Sequence, residues 1–181
     1  MIKTFFYSIT LLVVMIAVQG CEPIDNRSVY LKSNEIVAHT IVAKMTADNL
    51  NTIAVIRFQP VDAESRGASD FLADRLVSDM TTAPNSSISV INRERMNEIL
   101  TENQLKEAGI LDRQTVIENG QMLGIDAIVI GRYKMVKNLW GTAKSLSITF
   151  ECIDIERGVT FYANTLELSK GEFPEVVNYF Y

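Results

Sequence analysis

Three strand-like segments follow one another between Ile125 and Leu168, and they decide the fold: "IDAIVIGRYKMVK" (Ile125–Lys137), "KSLSITFECIDI" (Lys144–Ile155) and "VTFYANTLEL" (Val159–Leu168). Their connections, "NLWGTA" and "ERG", are short enough for hairpins, so we expect antiparallel neighbours. The first segment opens as a continuous apolar run, which is typical of a strand buried on both faces. The second alternates apolar and polar residues, which predicts one wet face.

Upstream of these segments, helical and strand-like patterns alternate. The predicted elements are a helix capped by Ser33, a strand over Thr52–Phe58 ended by Pro60, a helix capped by Ser69, a strand over Ser87–Ile91, and helices capped by Asn92 and Asp112, the last closed by Gly124. Crossover helices make the first three strands parallel. We therefore predict an α/β (α+β) fold in the order α-β-α-β-α-α-β-β-β, with a mixed sheet of about five strands packed by about four helices.

Composition and charge limit the function classes. The chain has 181 residues, of which 48% are hydrophobic, and its 22 acidic and 17 basic side chains give a net charge of −5. Such a composition is typical of one globular domain. Nucleic acid is not an expected partner, because a basic surface supplies most of the non-specific affinity for it.

The N-terminus has the pattern of a secretory signal. An apolar stretch from Ile9 to Val18 follows the single Lys3 and ends just before Cys21. The sequence "VQGC" at Val18–Cys21 resembles the lipobox of bacterial lipoproteins, with an aliphatic residue at −3, a small residue at −1 and cysteine at +1. We predict a lipoprotein signal peptide over 1–20, a short tether over 21–32 and a single domain over 33–181.

The lipobox resemblance implies a lipid anchor on Cys21. The thiol would be diacylated and the new amine acylated with a chain such as palmitate, and more than one acyl chain makes membrane attachment stable. Glu22 is not the aspartate that retains enterobacterial lipoproteins in the inner membrane. The resemblance therefore implies the outer membrane, with the domain facing the periplasm.

Four stretches in order, "IAVIRF", "VINRERMNEILTENQL", "AGILDRQTVIENGQMLGIDAIVIGRY" and "IDIERGVTFYA", resemble the periplasmic domain of the CsgG family of curli secretion lipoproteins. FlgO-type flagellar lipoproteins and lipoprotein activators of peptidoglycan synthases are grouped with it. The similarity covers about Ile53–Leu168. It implies a non-enzymatic accessory or assembly factor of an envelope secretion, curli or flagellar system, with envelope proteins as partners and a ring or homo-oligomer as one arrangement. The alternatives are a subunit of a CsgG-like secretion channel or a regulator of peptidoglycan synthesis.

One departure from the family affects the expected function. CsgG-type pores insert two long hairpins per subunit, and each membrane-spanning strand needs about 9 to 11 residues. Here the first connection holds only Asn138–Ala143, and 13 residues follow Leu168. We therefore expect the fold and the compartment of the family without its pore-forming hairpins.

The sequence offers no convergent catalytic group. His39, the one histidine, falls on the first predicted helix without a neighbouring acid or cysteine. Asp62 and Glu64 lie in a loop that we interpret as a solvated turn. Cys152 alternates with apolar residues and is expected to be a buried thiol. Catalysis, a metal, a cofactor and a small-molecule substrate are not expected.

Two aromatic features are candidate interaction residues. The tail ends in Tyr179, Phe180 and Tyr181, which would either pair with a neighbouring subunit or pack back onto their own domain. Trp140 falls at a predicted hairpin tip between two lysines, where it would either contact lipid headgroups or stabilise the turn.

Overall fold

A computed structural model describes residues 25–84, 87–91 and 113–180. Cys21, the predicted helix from Asn92, the predicted cap Asp112 and the last residue, Tyr181, lie outside the described residues.

The described chain contains helices, two short 3₁₀ turns and strands. The helices are α1 (Val29–Ala47), α2 (Ser69–Thr81), α3 (Arg113–Leu123) and α4 (Pro174–Val177), and the 3₁₀ turns cover Ala63–Ser65 and Asn178–Phe180. The strands are β1 (Thr52–Val55), β2 (Gln59–Pro60), β3 (Ser89–Ile91), β4 (Ala127–Lys137), β5 (Ala143–Asp154) and β6 (Val159–Ser169).

The strands form one mixed sheet in the order β3-β1-β4-β5-β6, with β2 also paired to β4. Strand β1 runs parallel to both β3 and β4, whereas β4, β5 and β6 form an antiparallel meander. The predicted mixed sheet and fold class are therefore confirmed. Gly124 closes α3 as predicted, because its φ of +65° is a conformation that glycine adopts without steric cost.

The prediction of one strand over Thr52–Phe58 ended by Pro60 is wrong, because β1 ends at Val55 and Pro60 lies in the separate short strand β2. Gln59 and Pro60 form a short strand paired to Arg132 and Tyr133, and the Val61 N–H continues it by donating to the Tyr133 carbonyl at 2.9 Å. Proline is tolerated in a short pairing of this kind, where its missing N–H removes no bond from the ladder.

Both predicted serine caps are also wrong. Ser28 is the N-cap of α1, with its hydroxyl accepting from the Leu31 N–H at 3.2 Å, so the helix begins inside the segment predicted to be a tether. Ala68 precedes α2, and Ser69 is its first residue, with a hydroxyl that pairs with the buried Tyr133 phenol at 2.9 Å. Both serines were assigned from local pattern, whereas packing against distant strands and loops sets the helix ends.

The sheet has an apolar layer on each face. The larger core lies under α1 and α2 and includes the predicted thiol, Cys152, which is fully buried. The smaller core lies under α3 and is rich in isoleucine from β4 and β5. The Phe58 ring lies over Gly131 of β4 so closely that a Cβ at this position would overlap it. This contact fixes the chain after β1 against the central strand.

Candidate interaction surface at the hairpin end

The connection between β4 and β5 is a tightly bonded turn. Asn138 closes it on both sides, because its N–H donates to Thr142 O at 2.9 Å and its carbonyl accepts from the Gly141 N–H at 3.0 Å. The Asn138 Oδ1 atom also accepts from the N–H groups of Trp140 and Thr142, at 3.0 and 2.9 Å. Gly141 adopts a φ of +74°, as the last position of such a turn requires. The turn is therefore built by its asparagine and its glycine.

The two residues at the apex of this turn are large, apolar and open to solvent. Leu139 is 102% exposed and Trp140 is 90% exposed. An indole with this exposure does not pack against the hairpin, so the turn gains little from it. Neighbouring exposed apolar side chains of this size are typical of a contact with another molecule.

The residues around the apex carry positive charge. Lys134, Lys137 and Lys144 flank it in "KMVKNLWGTAK", and this stretch contains no acidic residue, although the whole chain has a net charge of −5. Lys134 and Lys144 are exposed. Lys137 donates to the Phe180 carbonyl at 3.2 Å, which connects the hairpin to the last turn of the chain.

The start of α1 lies at the same end of the molecule as this turn. Ser28 Oγ donates to Glu175 Oε2 at 2.8 Å, and the Tyr30 N–H donates to the Glu172 carbonyl at 2.8 Å, just after β6 ends. The last residue of β6, Ser169, pairs with Ser145, near the first residues of β5. We call this side, formed by residues 25–30, the turn 138–142 and residues 169–180, the hairpin end.

The aromatic tail packs onto its own domain at the hairpin end. Phe180 is 8% exposed, and its ring centroid lies 6.1 Å from that of Tyr133. Tyr179 stacks on Phe71 at 4.5 Å but stays 47% exposed. Gly67 accommodates the tail, because a Cβ there would overlap the Tyr179 carbonyl. Tyr181 lies outside the described residues. A partner contact through the tail stays a prediction, and the exposed ring of Tyr179 is the described part of the tail that is available for it.

A cleft of about 430 Å³ lies at the opposite end, between α3 and the β5–β6 turn. Its two arginines are already paired. Arg113 donates to Glu151 Oε1 at 2.9 Å, and Arg157 donates to Asp154 Oδ2 at 2.7 Å. An anion would have to displace these carboxylates, so the cleft offers no preformed anion site.

The other side chains that the sequence singled out for possible chemistry are Cys152, His39 and Asp62, and each lies in a structural role or a plain helical position. Burial, above all, raises the pKa of the Cys152 thiol, which keeps it protonated and unreactive. His39 is partly buried on α1. Asp62 caps a 3₁₀ turn by accepting from the Ser65 N–H at 3.0 Å. Within residues 25–84, 87–91 and 113–180, no three metal-ligating side chains come together, and no helix is long and apolar enough to cross a membrane.

The family is shown by sequence comparison. The family described as "Curli production assembly/transport component CsgG" matches residues 41–134, which is just over half of the 181 residues. The chain belongs to the CsgG family. The match extends from Ile41 in α1 to Lys134 in β4, so it ends just before the turn 138–142. A search of curated proteins gave no match.

Solved structures show the same fold at low identity. The LpoB C-terminal domain from Salmonella enterica superposes with a TM-score of 0.52 at 9% identity, covering 74% of this chain and 96% of that chain. The corresponding domain from Escherichia coli gives 0.51 at 11% identity, with the same coverage. The NMR structure of E. coli LpoB gives 0.53 at 11% identity, covering 73% of this chain and 65% of that one. This member of the CsgG family therefore shares its fold with LpoB.

Sequence reasoning singled out Trp140 but missed Leu139. The available signal was two adjacent large apolar residues between the asparagine and the glycine that build the turn. It also missed that the start of α1 meets α4, because nothing local in either segment indicates a contact across 147 residues.

Proposed function

We propose that the protein is a lipid-anchored lipoprotein of the outer membrane that acts as a non-enzymatic accessory or assembly factor of an envelope secretion, curli or flagellar system. The observation that carries the proposal is membership of the CsgG family, whose description names curli assembly and transport. Its domain would face the periplasm and bind envelope proteins, with a homo-oligomer as one arrangement.

The lipobox at Val18–Cys21 supports the anchor. In this proposal, residues 1–20 are removed as a signal peptide and Cys21 carries the lipid. Only three residues lie between Cys21 and Asp25, where the described structure begins, and an extended chain over these four residue steps reaches at most about 14 Å. The anchor would then hold the folded domain close to its membrane.

The anchor is tested by processing and fractionation in cells. We expect wild-type protein to incorporate labelled palmitate and to sediment with the outer membrane, and we expect globomycin to block its maturation. Cys21→Ala should abolish all three behaviours. Cys152→Ala is the matched control, because this buried cysteine cannot be acylated in the folded protein and its loss should leave the label in place. Unchanged palmitate incorporation and fractionation in Cys21→Ala would refute the anchor.

The partner class is tested by photocrosslinking in intact cells. A crosslinker at Tyr179, whose ring is 47% exposed, samples the surface of the tail, and one at Lys44 samples the opposite end of α1. We expect crosslinks from position 179 to a component of a secretion, curli or flagellar system or to a second copy. Crosslinks only to peptidoglycan synthases would instead favour the regulatory alternative.

A channel subunit is the second candidate, because the family description also names transport. The turns that join β4 to β5 and β5 to β6 contain only residues 138–142 and 155–158 between the paired strands. A membrane-crossing strand needs about 9 to 11 residues, so these two turns do not supply one. Ion conductance across planar bilayers from purified lipidated protein would favour the channel over the accessory role.

A further inference from the structure

Leu139 and Trp140 form an apolar apex that the fold itself does not use. The turn that presents them is fixed by the side chain of Asn138 and by the positive φ of Gly141, so polar residues would serve equally well at the two apical positions. Holding a leucine at 102% exposure beside an indole at 90% exposure therefore calls for an apolar environment outside the domain.

The charge around the apex limits the chemistry of that environment. Lys144 is exposed just after the turn, Lys134 is exposed about 13 Å before it along β4, and no acidic residue lies between them in sequence. An amphipathic indole surrounded by cations fits the boundary between acyl chains and anionic headgroups in a phospholipid bilayer. It fits less well with a dry protein pocket, in which exposed lysines would lose their hydration.

The position of the apex relative to the start of the chain points to the same occupant. Ser28 and Tyr30 lie at the hairpin end, bound to Glu175 and Glu172, and Asp25 is held close to them by Arg27 and Lys32. Ser145 pairs with the last residue of β6. A lipid on Cys21 would be within about 14 Å of Asp25, and the turn extends about 7 Å beyond the row that contains Ser145. The membrane and the apex would then face each other.

We infer that the turn 138–142 is a second membrane contact, in which Leu139 and Trp140 enter the headgroup region of an anionic bilayer and Lys134 and Lys144 bind lipid phosphates. The inference deepens the proposed function and rests on the anchor at Cys21. It orients the domain, with the turn 138–142 toward the bilayer and the β5–β6 turn pointing away from it.

The single tryptophan of the chain is the probe for this contact. Lipidated full-length protein is reconstituted in vesicles of phosphatidylethanolamine and phosphatidylglycerol, with and without acyl chains brominated near the headgroup. We expect Trp140 emission to shift to shorter wavelength on the vesicles and brominated lipid to quench it. Acrylamide should quench Trp140 less on the vesicles than in buffer without lipid or detergent.

A matched control moves the tryptophan to the other end of the molecule. Met122 is 69% exposed at the end of α3, next to the start of β4, and the 11 residues of β4 span about 35 Å. In the Trp140→Phe, Met122→Trp double variant, we expect emission typical of water, strong acrylamide quenching and no quenching by brominated lipid. Equal behaviour of the two tryptophans would overturn the inference.

The lysines are tested on the same vesicles. We expect Lys134→Gln with Lys144→Gln to lose most of the emission shift when phosphatidylglycerol is present, whereas Lys44→Gln, at the opposite end of α1, should keep it. An unchanged shift in the double variant would overturn phosphate binding by these two side chains.

The outcomes separate this inference from the anchor. If the chain carries palmitate but brominated lipid does not quench Trp140, the inference fails and the anchor stands. If no palmitate is found, the anchor fails, and the unlipidated chain is tested on the same vesicles. Quenching of its Trp140 by brominated lipid then supports the inference, and no quenching overturns it. Crosslinks from position 140 to protein, together with no lipid quenching, overturn it in favour of a protein partner.

Discussion

The two turns of the β4–β5–β6 meander differ in what they present to their surroundings. The β5–β6 turn contains Glu156, Arg157 and Gly158, and its arginine is bound to Asp154 at 2.7 Å and to Asp48 at 3.7 Å. The β4–β5 turn is bonded equally well but presents Leu139 and Trp140 instead. Both turns connect antiparallel neighbours, but only the β5–β6 turn does so with polar and charged residues that are suited to water. The contrast indicates that the apolar apex serves a contact rather than the fold.

Removing the aspartate of the β5–β6 turn should have the largest effect. Asp154 is 2% exposed, and its carboxylate accepts one bond from the backbone N–H of Arg157 and one from the Nε–H of Arg157, each at 2.7 Å. We expect Asp154→Ala to lower the free energy of unfolding by about 2 to 3 kcal/mol, because the buried carboxylate loses its charged hydrogen bonds to the Arg157 N–H and guanidinium. Urea denaturation measures this loss. Glu156→Ala, exposed in the same turn, should stay within about 0.5 kcal/mol of wild type, and similar losses in both variants would contradict the assignment.

Asp126 ties the same end of the sheet to β1 and should give the next largest effect. Its Oδ2 accepts from the N–H groups of Asn51 and Thr52 at 2.7 and 2.9 Å. We expect Asp126→Ala to cost about 1 to 2 kcal/mol at neutral pH, measured by urea denaturation. Asp126→Asn should retain part of this stability, since an amide oxygen also accepts these bonds.

The effect of Asp126 should depend on pH. Partial burial raises the pKa of its carboxyl, but the N–H donors of Asn51 and Thr52 outweigh this and lower the pKa below its usual value of 3.8. Because the folded-state pKa is the lower one, the stabilisation is fully present above the unfolded value and is lost as pH falls through the folded value. The gap in unfolding free energy between wild type and Asp126→Asn should therefore narrow only in strong acid. A gap that narrows near neutral pH would be inconsistent with this carboxyl.

Asn138→Ala tests the equivalent bonds in the β4–β5 turn. We expect a loss of about 1 kcal/mol, smaller than for Asp154→Ala, because the Asn138 side chain is neutral and its turn is exposed to water. Thermal and urea unfolding measure it. A loss as large as that of Asp154→Ala would mean that the two turns contribute equally to stability, and the contrast between them would disappear.

Changing the apex itself should have the smallest effect on stability. We expect Leu139→Ser with Trp140→Ser to shift the unfolding free energy by less than about 0.5 kcal/mol, since both side chains are almost fully exposed. A large destabilisation in urea would show that the apex supports the fold, and it would remove the reason to look for an external contact.

The meander and the parallel strands could be predicted because their signals are local. Alternation, apolar runs and turn residues lie within a few residues of one another, and the sheet order then follows from crossover and hairpin rules. The ends of α1 and α2 could not be predicted this way. Ser33 and Ser69 match a capping pattern, but the burial of Tyr30 under the chain near Glu172 moves the start of α1 to Val29. The packing of Phe180 depends equally on a distant strand.

The candidate surface was predictable only in part. Trp140 stood out as a large aromatic residue in a predicted turn, and the structure shows how fully that turn exposes it. That the turn shares one end of the molecule with the start of α1 depends on the pairing of Ser145 with Ser169, which no sequence window contains. For this reason the orientation of the domain follows from the structure and not from the residue pattern.

The contact between Ser28 and Glu175 has a consequence for how the chain folds as it is made. The N-terminal end of α1 is bound by a residue 147 positions later, so this end of the domain stays open until nearly the whole polypeptide has emerged, although α1 can already pack on α2. A chain delivered N-terminus first therefore cannot complete this domain in stages, and its early segments need protection from aggregation while they wait. Release of the last residues then lets α4 bind the start of α1 and complete the domain.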